Sequence, residues 1–113
     1  MPRVERLTIP SAKIRDYLLD PDHPSGWSKA KFFLGRGFDR GRPEALADAL
    51  ASQALKGWPG DALPVPGAVR HRITGAIVYP DGSTPDVLTV WQVDDGSIRA
   101  NFVTARPARR KPV

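Results

Sequence analysis

The sequence lacks cysteine and any long apolar run, and both absences remove classes of protein. Without cysteine, disulfides, iron–sulfur clusters, thiolate zinc sites and cysteine nucleophiles are excluded. The longest apolar stretches have three or four residues, whereas a membrane-spanning helix needs about 20. Residues 1–6 lack the apolar segment of a secretory signal. We therefore expect a cytoplasmic protein with no membrane contact.

Metal ligands are equally scarce. The two histidines, His23 and His71, lie 48 positions apart, with no cysteine and no acidic cluster to complete a ligand set. We expect neither a metal nor a cofactor.

The excess of basic residues is concentrated at one end of the chain. Its 113 residues carry a net charge of +5, and this length fits one domain. Residues 106–113 hold four bases and no acid, so removing them leaves 13 bases against 12 acids. We expect one domain over residues 1–107 and a basic, disordered tail over residues 108–113. Within the domain, residues 29–42 hold five bases and one acid. This local positive charge would attract phosphate, or the same residues would form a solvated helix face.

The first half of the sequence predicts helices, because its apolar residues are spaced by three and four positions. The predicted helices cover residues 11–20, residues 28 to 35 or 37, and residues 43–57. The first carries Ile14, Tyr17 and Leu18 on one face, and Ser28 is the expected N-cap of the second. Residues 61–67 are proline-rich and are interpreted as a connector.

After this connector the apolar period changes to two, which predicts strands. Three strand-like segments cover residues 69–79, 86–93 and 98–105, separated by the turn sequences Pro80–Gly82 and Asp94–Gly96. The fold class is therefore α+β, with two to three N-terminal helices packed on a C-terminal antiparallel meander sheet of three to four strands. We expect the strand order to follow the chain.

The segment from His23 to Phe33 carries the most chemistry. It places a histidine and two lysines, Lys29 and Lys31, around the start of a helix, where free N–H groups favour an anion such as phosphate. A structural interpretation is also open, in which the segment forms a turn, a helix cap and a piece of the core.

These motifs together resemble an uncharacterised bacterial domain family. In that family a Y-L-L helix is followed by H-P-x-G-x-S-K-A-x-x-F, then by G-x-x-x-x-P-D-G, T-V-W and V-T-A-x-P. The matching residues here are Tyr17–Leu19, His23–Phe33, Gly75–Gly82, Thr89–Trp91 and Val103–Pro107. The resemblance covers roughly residues 7–107 and implies a family but no activity.

A more distant resemblance does imply an activity. Ribonuclease toxins of the barnase–EndoU–colicin–RelE class also place helices before a meander sheet, and many end in a strand reading V-T-A-x-P. Their active sites combine an early histidine or lysine with basic residues or threonine on the strands. The resemblance implies that His23 and Lys29 lie near a sheet face that carries Thr89 and Thr104.

RNA cleavage by internal attack of a 2′-hydroxyl needs a base, an acid and cations for the charge that develops at phosphorus. We expect His23, Lys29 and Thr104 to be catalytic. Substrate binding is expected from Ser28, Lys31, Arg70, His71, Arg72, Thr89 and Trp91. Structural roles for the strand residues stay open, because threonine and aromatic side chains are also favoured in sheets.

Two classes of function follow from these patterns. The first is a small metal-independent ribonuclease of toxin type, with RNA as substrate and an acidic cognate protein as partner. The alternative is a non-catalytic protein-interaction module, such as one member of a toxin–antitoxin-like gene pair, which the near-neutral body of the chain favours. A third, a nucleic-acid-binding accessory protein, would use the basic tail as an electrostatic arm. The sequence indicates no oligomeric state.

Overall fold

The computed structural model describes residues 6–24 and 27–108 of the chain. Its elements confirm the α+β class. In chain order they are strand β1 (Arg6–Thr8), helix α1 (Ser11–Lys13) continued by a π-helical segment (Ile14–Leu18), helix α2 (Trp27–Gly35), helix α3 (Pro43–Gly57), and strands β2 (Asp61–Val65), β3 (Ala68–Ala76), β4 (Asp86–Asp94) and β5 (Arg99–Pro107). Residues 109–113 of the predicted tail lie outside the described residues. Ala108, the first residue of that tail, donates its backbone N–H to the carbonyl oxygen of Asp86 at 3.0 Å.

The sheet has five strands in the order β1-β5-β4-β3-β2. Strands β2 to β5 form the expected antiparallel meander, in which each strand pairs with the next along the chain. Strand β1 adds in parallel to β5, with Arg6 opposite Arg99. The sheet is therefore mixed, and the expectation of three or four purely antiparallel strands is wrong. The helices also do not precede every strand, because β1 comes before them.

Both unexpected strands lie at the edges of the sheet, where sequence signals are weak. Strand β1 has three residues, too few to show an alternating pattern. Strand β2 contains Pro64, which indicates a connector in a sequence but is tolerated in an edge strand, because one side of that strand needs no ladder hydrogen bonds.

Helix α3 packs on one face of the sheet, and the core lies between them. Its start at Pro43 and its end at Gly57 agree with the prediction, because proline favours the first helical position and glycine the end of a helix. Leu46, Leu50 and Ala54 of this helix are buried. The other face of the sheet, called the outer face below, is free of α3.

A buried polar chain ties α3 to the sheet. Gln53 Nε2 donates to the carbonyl oxygens of Ile73 at 2.8 Å and Val87 at 2.9 Å. Thr89 Oγ1 donates to Gln53 Oε1 at 2.8 Å and accepts a bond from Trp91 Nε1 at 2.9 Å. Because these side chains satisfy one another, their polar atoms are buried without the cost of an unmade hydrogen bond.

A β-bulge changes the register of strand β5. Val90 lies opposite Thr104, whereas the next residue, Trp91, lies opposite Phe102, so Val103 is the extra residue on β5. Phe102 and Ala105, three positions apart, are therefore both buried. Thr104 faces the outer side of the sheet, whereas strict alternation from Phe102 would have placed its side chain in the core.

Within residues 6–24 and 27–108, every helix is too short or too polar to span a bilayer.

Candidate functional site

A row of side chains crosses the outer face of the sheet. Asp61 on β2 lies opposite Arg72 on β3, Arg72 lies opposite Val90 on β4, and Val90 lies opposite Thr104 on β5. Directly paired residues in antiparallel strands point to the same side of the sheet. Asp61 and Thr104 therefore mark the two ends of one row, with Arg72 between them.

A large open concavity, called the cleft below, lies over this face. Its volume is about 990 Å³. Among the described residues, three cations line it: Lys29 at the start of α2, Arg72 on β3 and Arg106 on β5. The described residues that line the cleft are Ser28, Lys29, Phe32, Asp61, Arg72, Thr74, Leu88, Arg106, Pro107 and Ala108. This combination of cations and apolar surface suits a ligand that is anionic in one part and flat and apolar in another.

Helix α2 places Lys29 at the rim of the cleft. The helix begins at Trp27, so Ser28 lies in its first turn instead of forming the predicted N-cap. Ala30 and Phe33 are buried and fix the inner face of the helix. Lys29 projects beside the part of β5 that β1 leaves unpaired, since β1 covers β5 only as far as Asn101.

The Lys29 ammonium joins two elements that are far apart in the sequence. Lys29 Nζ donates to Tyr17 Oη and to Thr104 Oγ1 at 3.2 Å, and it lies 4.8 Å from the centre of the Tyr17 ring. We call Tyr17, Lys29 and Thr104 the Lys29 cluster. An ammonium has three N–H donors, and the described residues accept two of them, so one remains for an incoming anion.

Tyr17 is the member of this cluster that the sequence pattern does not single out. Helical spacing places it with Ile14 and Leu18 on an apolar face, but this segment is π-helical, with the Leu19 N–H bonded to the Ile14 carbonyl oxygen at 2.8 Å. Ile14, Leu18 and Leu19 are buried, whereas Tyr17 is half-buried at the rim. π-Helical turns occur frequently at functional sites. No pattern in the sequence predicts the π-helical turn that contains Tyr17.

The environment of Tyr17 changes the acidity of its hydroxyl group. Burial by itself would raise the pKa of Tyr17, but the hydrogen bonds with Lys29 and Thr104 and the positive charges of Lys29 and Lys13 lower it below its ordinary value. A phenol hydroxyl next to a cation is thereby made a stronger acid.

Lys13 supports the bulge from the same side. Its Nζ donates to the carbonyl oxygens of Phe102 at 3.1 Å and Val103 at 3.2 Å. These carbonyls lie beside the unpaired edge of β5, where they would otherwise depend on water. Lys13, Tyr17, Lys29 and Thr104 also line a second concavity of about 560 Å³, so Lys29 stands between the two openings.

His23 lies next to the Lys29 cluster. Its ring packs edge-on against the Tyr17 ring with 5.0 Å between the ring centres, and its backbone N–H donates to the Asp20 carbonyl oxygen at 3.2 Å. The predicted catalytic residues are thus gathered in one region: Lys29 contacts Thr104 directly, and His23 contacts Tyr17, which binds Lys29.

Three of the predicted binding residues lie on the other face of the sheet. Thr89 and Trp91 are fully buried in the core. Trp91 Nε1 donates to Thr89 Oγ1, which in turn donates to Gln53 Oε1. His71 is buried, stacks on Trp58 with 4.3 Å between ring centres, and bonds through Nδ1 to the Pro59 carbonyl oxygen at 2.9 Å. The expectation that one sheet face carries both Thr89 and Thr104 is wrong, because the bulge separates them.

The remaining predicted binding residues are exposed. Arg70 lies on the outer face and donates to Gln92 Oε1 at 3.2 Å, whereas Ser28 and Arg72 line the cleft. Lys31 packs over the Trp27 ring at 4.9 Å and is absent from the lining of the cleft. Within residues 6–24 and 27–108, no group of three or more histidine and acidic residues is placed to hold a metal ion.

The fold and the site define an α+β protein with a basic cleft on the open face of its sheet and a lysine–tyrosine–threonine cluster at the rim. The family model described as "Domain of unknown function (DUF6883)" matches residues 1–109. The chain belongs to this family. No curated protein and no solved structure matches it significantly.

Proposed function

We propose that this protein is a small ribonuclease that cleaves RNA by attack of a ribose 2′-hydroxyl on the adjacent phosphorus. The observation that carries the proposal is the Lys29 cluster, in which a cation, an acidified phenol and a hydroxyl meet at the rim of a basic cleft. The more distant resemblance to ribonuclease toxins of the barnase–EndoU–colicin–RelE class supports the same reaction.

The cleft supplies the binding surface for this substrate. Lys29, Arg72 and Arg106 would attract the phosphate backbone, which contributes much of the affinity of proteins for nucleic acids. Phe32, which is half-buried and lines the cleft, offers apolar surface on which an unstacked base can lie.

The reaction proceeds in one in-line displacement at phosphorus. His23 takes the proton of the 2′-hydroxyl, the 2′-oxygen forms a bond to phosphorus, and the bond from phosphorus to the 5′-oxygen breaks. Tyr17 gives its proton to that leaving oxygen. The products are a 2′,3′-cyclic phosphate and a free 5′-hydroxyl, and solvent afterwards restores the proton to Tyr17 and removes it from His23.

Lys29 and Thr104 stabilise the charge that develops on the equatorial oxygens. The remaining N–H of Lys29 binds one oxygen, and the Thr104 hydroxyl, which accepts from Lys29, donates its own proton to another. Groups held in place before the reaction stabilise a transition state at no cost of reorganisation. The bulge in β5 and the support from Lys13 hold Thr104 in this position.

The test is to incubate the purified protein with total RNA in a buffer that contains a metal chelator. We expect the wild type to fragment the RNA and His23→Ala to be slower by about 10² to 10⁴-fold, the usual loss when a catalytic base is removed. Lys29→Met should be slower by about 10² to 10³-fold, the usual loss of one group that stabilises the developing charge. Tyr17→Phe, which keeps the ring against His23 but removes the acid, is expected to lose a similar factor.

Lys56→Met is the matched control, because Lys56 is an exposed residue in the last turn of α3. Circular dichroism must show every variant folded. Wild-type rates in the folded Lys29→Met and Tyr17→Phe proteins would contradict the site, and RNA left intact by the wild type would contradict the function.

A further inference from the structure

The ammonium group of Lys13 binds two consecutive carbonyl groups of β5. Lys13 Nζ lies 3.1 Å from the carbonyl oxygen of Phe102 and 3.2 Å from that of Val103. In a regular strand, successive carbonyl groups point to opposite edges, so one cation at one edge reaches only one of them. The two bonds from Lys13 are therefore specific for the bulged backbone at Val103.

The bulge is held from both of its sides. On the core side, the burial of both Phe102 and Ala105 requires the extra residue between them. On the edge side, β1 pairs with β5 only as far as Asn101, and a bulge interrupts the ladder of hydrogen bonds. Hydrogen bonds from a charged donor are stronger than those between neutral groups, and Lys13 supplies two of them at this interruption.

Thr104 directly follows the bulge, so the position of its hydroxyl group depends on the backbone that Lys13 holds. Thr104 Oγ1 accepts from Lys29 Nζ at 3.2 Å, which is near the upper limit for a hydrogen bond. A further displacement of the strand would break this contact. The effect on the reaction is large, because a misplacement by about 1 Å can cost about 10²-fold in rate.

Lys13 also adjoins the segment that carries Tyr17. Helix α1 ends at Lys13, and the π-helical segment that begins at Ile14 contains Tyr17. Burial raises the pKa of Tyr17, whereas its hydrogen bonds within the Lys29 cluster and the charges of Lys29 and Lys13 lower it. One lysine thus ties the proposed acid to the strand that carries the Thr104 hydroxyl.

Lys13 acts from outside the cleft. Among the described residues, it lines the second concavity with Tyr17, Lys29 and Thr104 but does not line the cleft. Its loss therefore removes no contact that the cleft offers to RNA. A residue that acts only in the transition state changes kcat, whereas a residue that binds the substrate uniformly changes KM.

We propose that Lys13 is a positioning residue, which holds the bulged form of β5 through the Phe102 and Val103 carbonyl oxygens and so keeps the Thr104 hydroxyl at the Lys29 ammonium. Its effect on catalysis rests on the proposed function, but its effect on the bulge is measured without RNA.

The first measurement is amide hydrogen exchange at residues 102–104, followed by nuclear magnetic resonance. We expect exchange in Lys13→Met to be faster by about 10-fold or more, because two bonds to a charged donor are lost. Arginine also carries a positive charge and several N–H donors, so Lys13→Arg should keep the slow exchange. Lys56→Met, at an exposed lysine of α3, is the matched control. Lys13 is itself exposed, so Lys13→Met is expected to fold, and Lys13→Ala replaces it if circular dichroism shows that it does not.

The second measurement follows RNA cleavage and the ultraviolet titration of Tyr17 in the same variants. Lys13→Met should lower kcat by about 10- to 10²-fold and leave KM within about twofold of the wild type. It should also move the Tyr17 step to higher pH, whereas Lys13→Arg should behave like the wild type in both assays.

Unchanged amide exchange in folded Lys13→Met overturns the proposal even if RNA is cleaved. A raised KM with an unchanged kcat also overturns it, because Lys13 would then bind the substrate. Faster exchange that Lys13→Arg restores, in a protein that leaves RNA intact, upholds the role of Lys13 in the bulge and contradicts the ribonuclease.

Discussion

Two threonines on opposite faces of the sheet allow one substitution to distinguish a core residue from a residue of the site. Thr89 and Thr104 both lie on the central strands β4 and β5, and the same substitution, threonine to valine, removes a hydroxyl from each with little change of shape. The structure predicts opposite consequences. Thr89→Val should lower stability and leave the chemistry intact, whereas Thr104→Val should lower activity and leave stability nearly intact.

The size of the first effect follows from the buried chain. Without the Thr89 hydroxyl, Gln53 Oε1 loses the bond of 2.8 Å and Trp91 Nε1 loses the bond of 2.9 Å. Each buried group left unpaired costs about 1 to 3 kcal/mol, and the added methyl group recovers about 1 kcal/mol by its burial. We expect a net loss of about 1 to 5 kcal/mol in the free energy of unfolding, measured by urea denaturation.

The second effect arises at the rim of the cleft. Thr104 is half-buried and accepts one bond from Lys29 at 3.2 Å, so its replacement should change stability by about 1 kcal/mol or less. The same change removes a donor to the phosphate, and the loss of one such preorganised donor commonly costs about 10²-fold in rate. Cleavage of RNA is measured at a temperature at which both variants are folded.

Three results would contradict the assignment of the two threonines to opposite faces. Loss of activity in folded Thr89→Val would show that Thr89 takes part in the reaction, and full activity in Thr104→Val would show that Thr104 does not. A Thr104→Val protein that is the less stable of the two would contradict the assignment of the faces.

Further outcomes are expected for the two tyrosines, for Gly60 and for Arg72. The two tyrosines should titrate in separate steps in the ultraviolet spectrum, because burial raises the pKa of Tyr79 to about 12 whereas that of Tyr17 lies below its ordinary value. Tyr17→Phe should remove only the lower step. The raised pKa of Tyr79 should make the folded protein lose stability as the pH rises from about 10 to 12, because the Tyr79 hydroxyl loses its proton at lower pH in the unfolded chain than in the folded one. Gly60→Ala should lower the free energy of unfolding by about 1 to 3 kcal/mol, measured by urea denaturation, because Gly60 has a φ of +58° and a Cβ there would overlap a carbonyl oxygen of β3. An unchanged midpoint of the urea transition would contradict that geometry. Arg72→Ala should weaken RNA binding and reduce its log–log salt slope by about one, whereas Arg40→Ala, at a residue near Asp16 and Asp20 outside the cleft, should leave the slope unchanged.

Much of the fold could be predicted because period and turn signals agree along most of the chain. Helix α3 has a proline at its start, a glycine at its end and an apolar stripe between them, and β3 alternates between exposed and buried residues from Arg70 to Thr74. The edge strands could not be predicted. Strand β1 is too short for a pattern, and β2 contains proline, which local signals assign to a connector. Both depend on pairing with a distant partner, which no local window contains.

The site was only partly predictable for a related reason. His23, Lys29 and Thr104 could be selected by residue type, because each carries chemistry and lies at a helix start or on a strand. The position of Thr104 on the outer face depends on a bulge, and that of Tyr17 on a π-helical turn. Both are irregularities that break the period on which sequence patterns rely. The pattern therefore places Tyr17 on one helix face with Ile14 and Leu18, and the resemblance groups Thr89 with Thr104.

The most direct test of the account is the chemistry at the cleaved bond. An oligodeoxynucleotide with a single ribonucleotide is incubated with the protein and a metal chelator, and the products are identified by mass spectrometry. Cleavage after the ribonucleotide, with a 2′,3′-cyclic phosphate on one product and a 5′-hydroxyl on the other, is the predicted result, and Lys29→Met should slow it by at least about 10²-fold. A product that carries a 5′-phosphate, cleavage of the matched all-deoxy strand, or no cleavage at all would contradict internal attack by the 2′-hydroxyl.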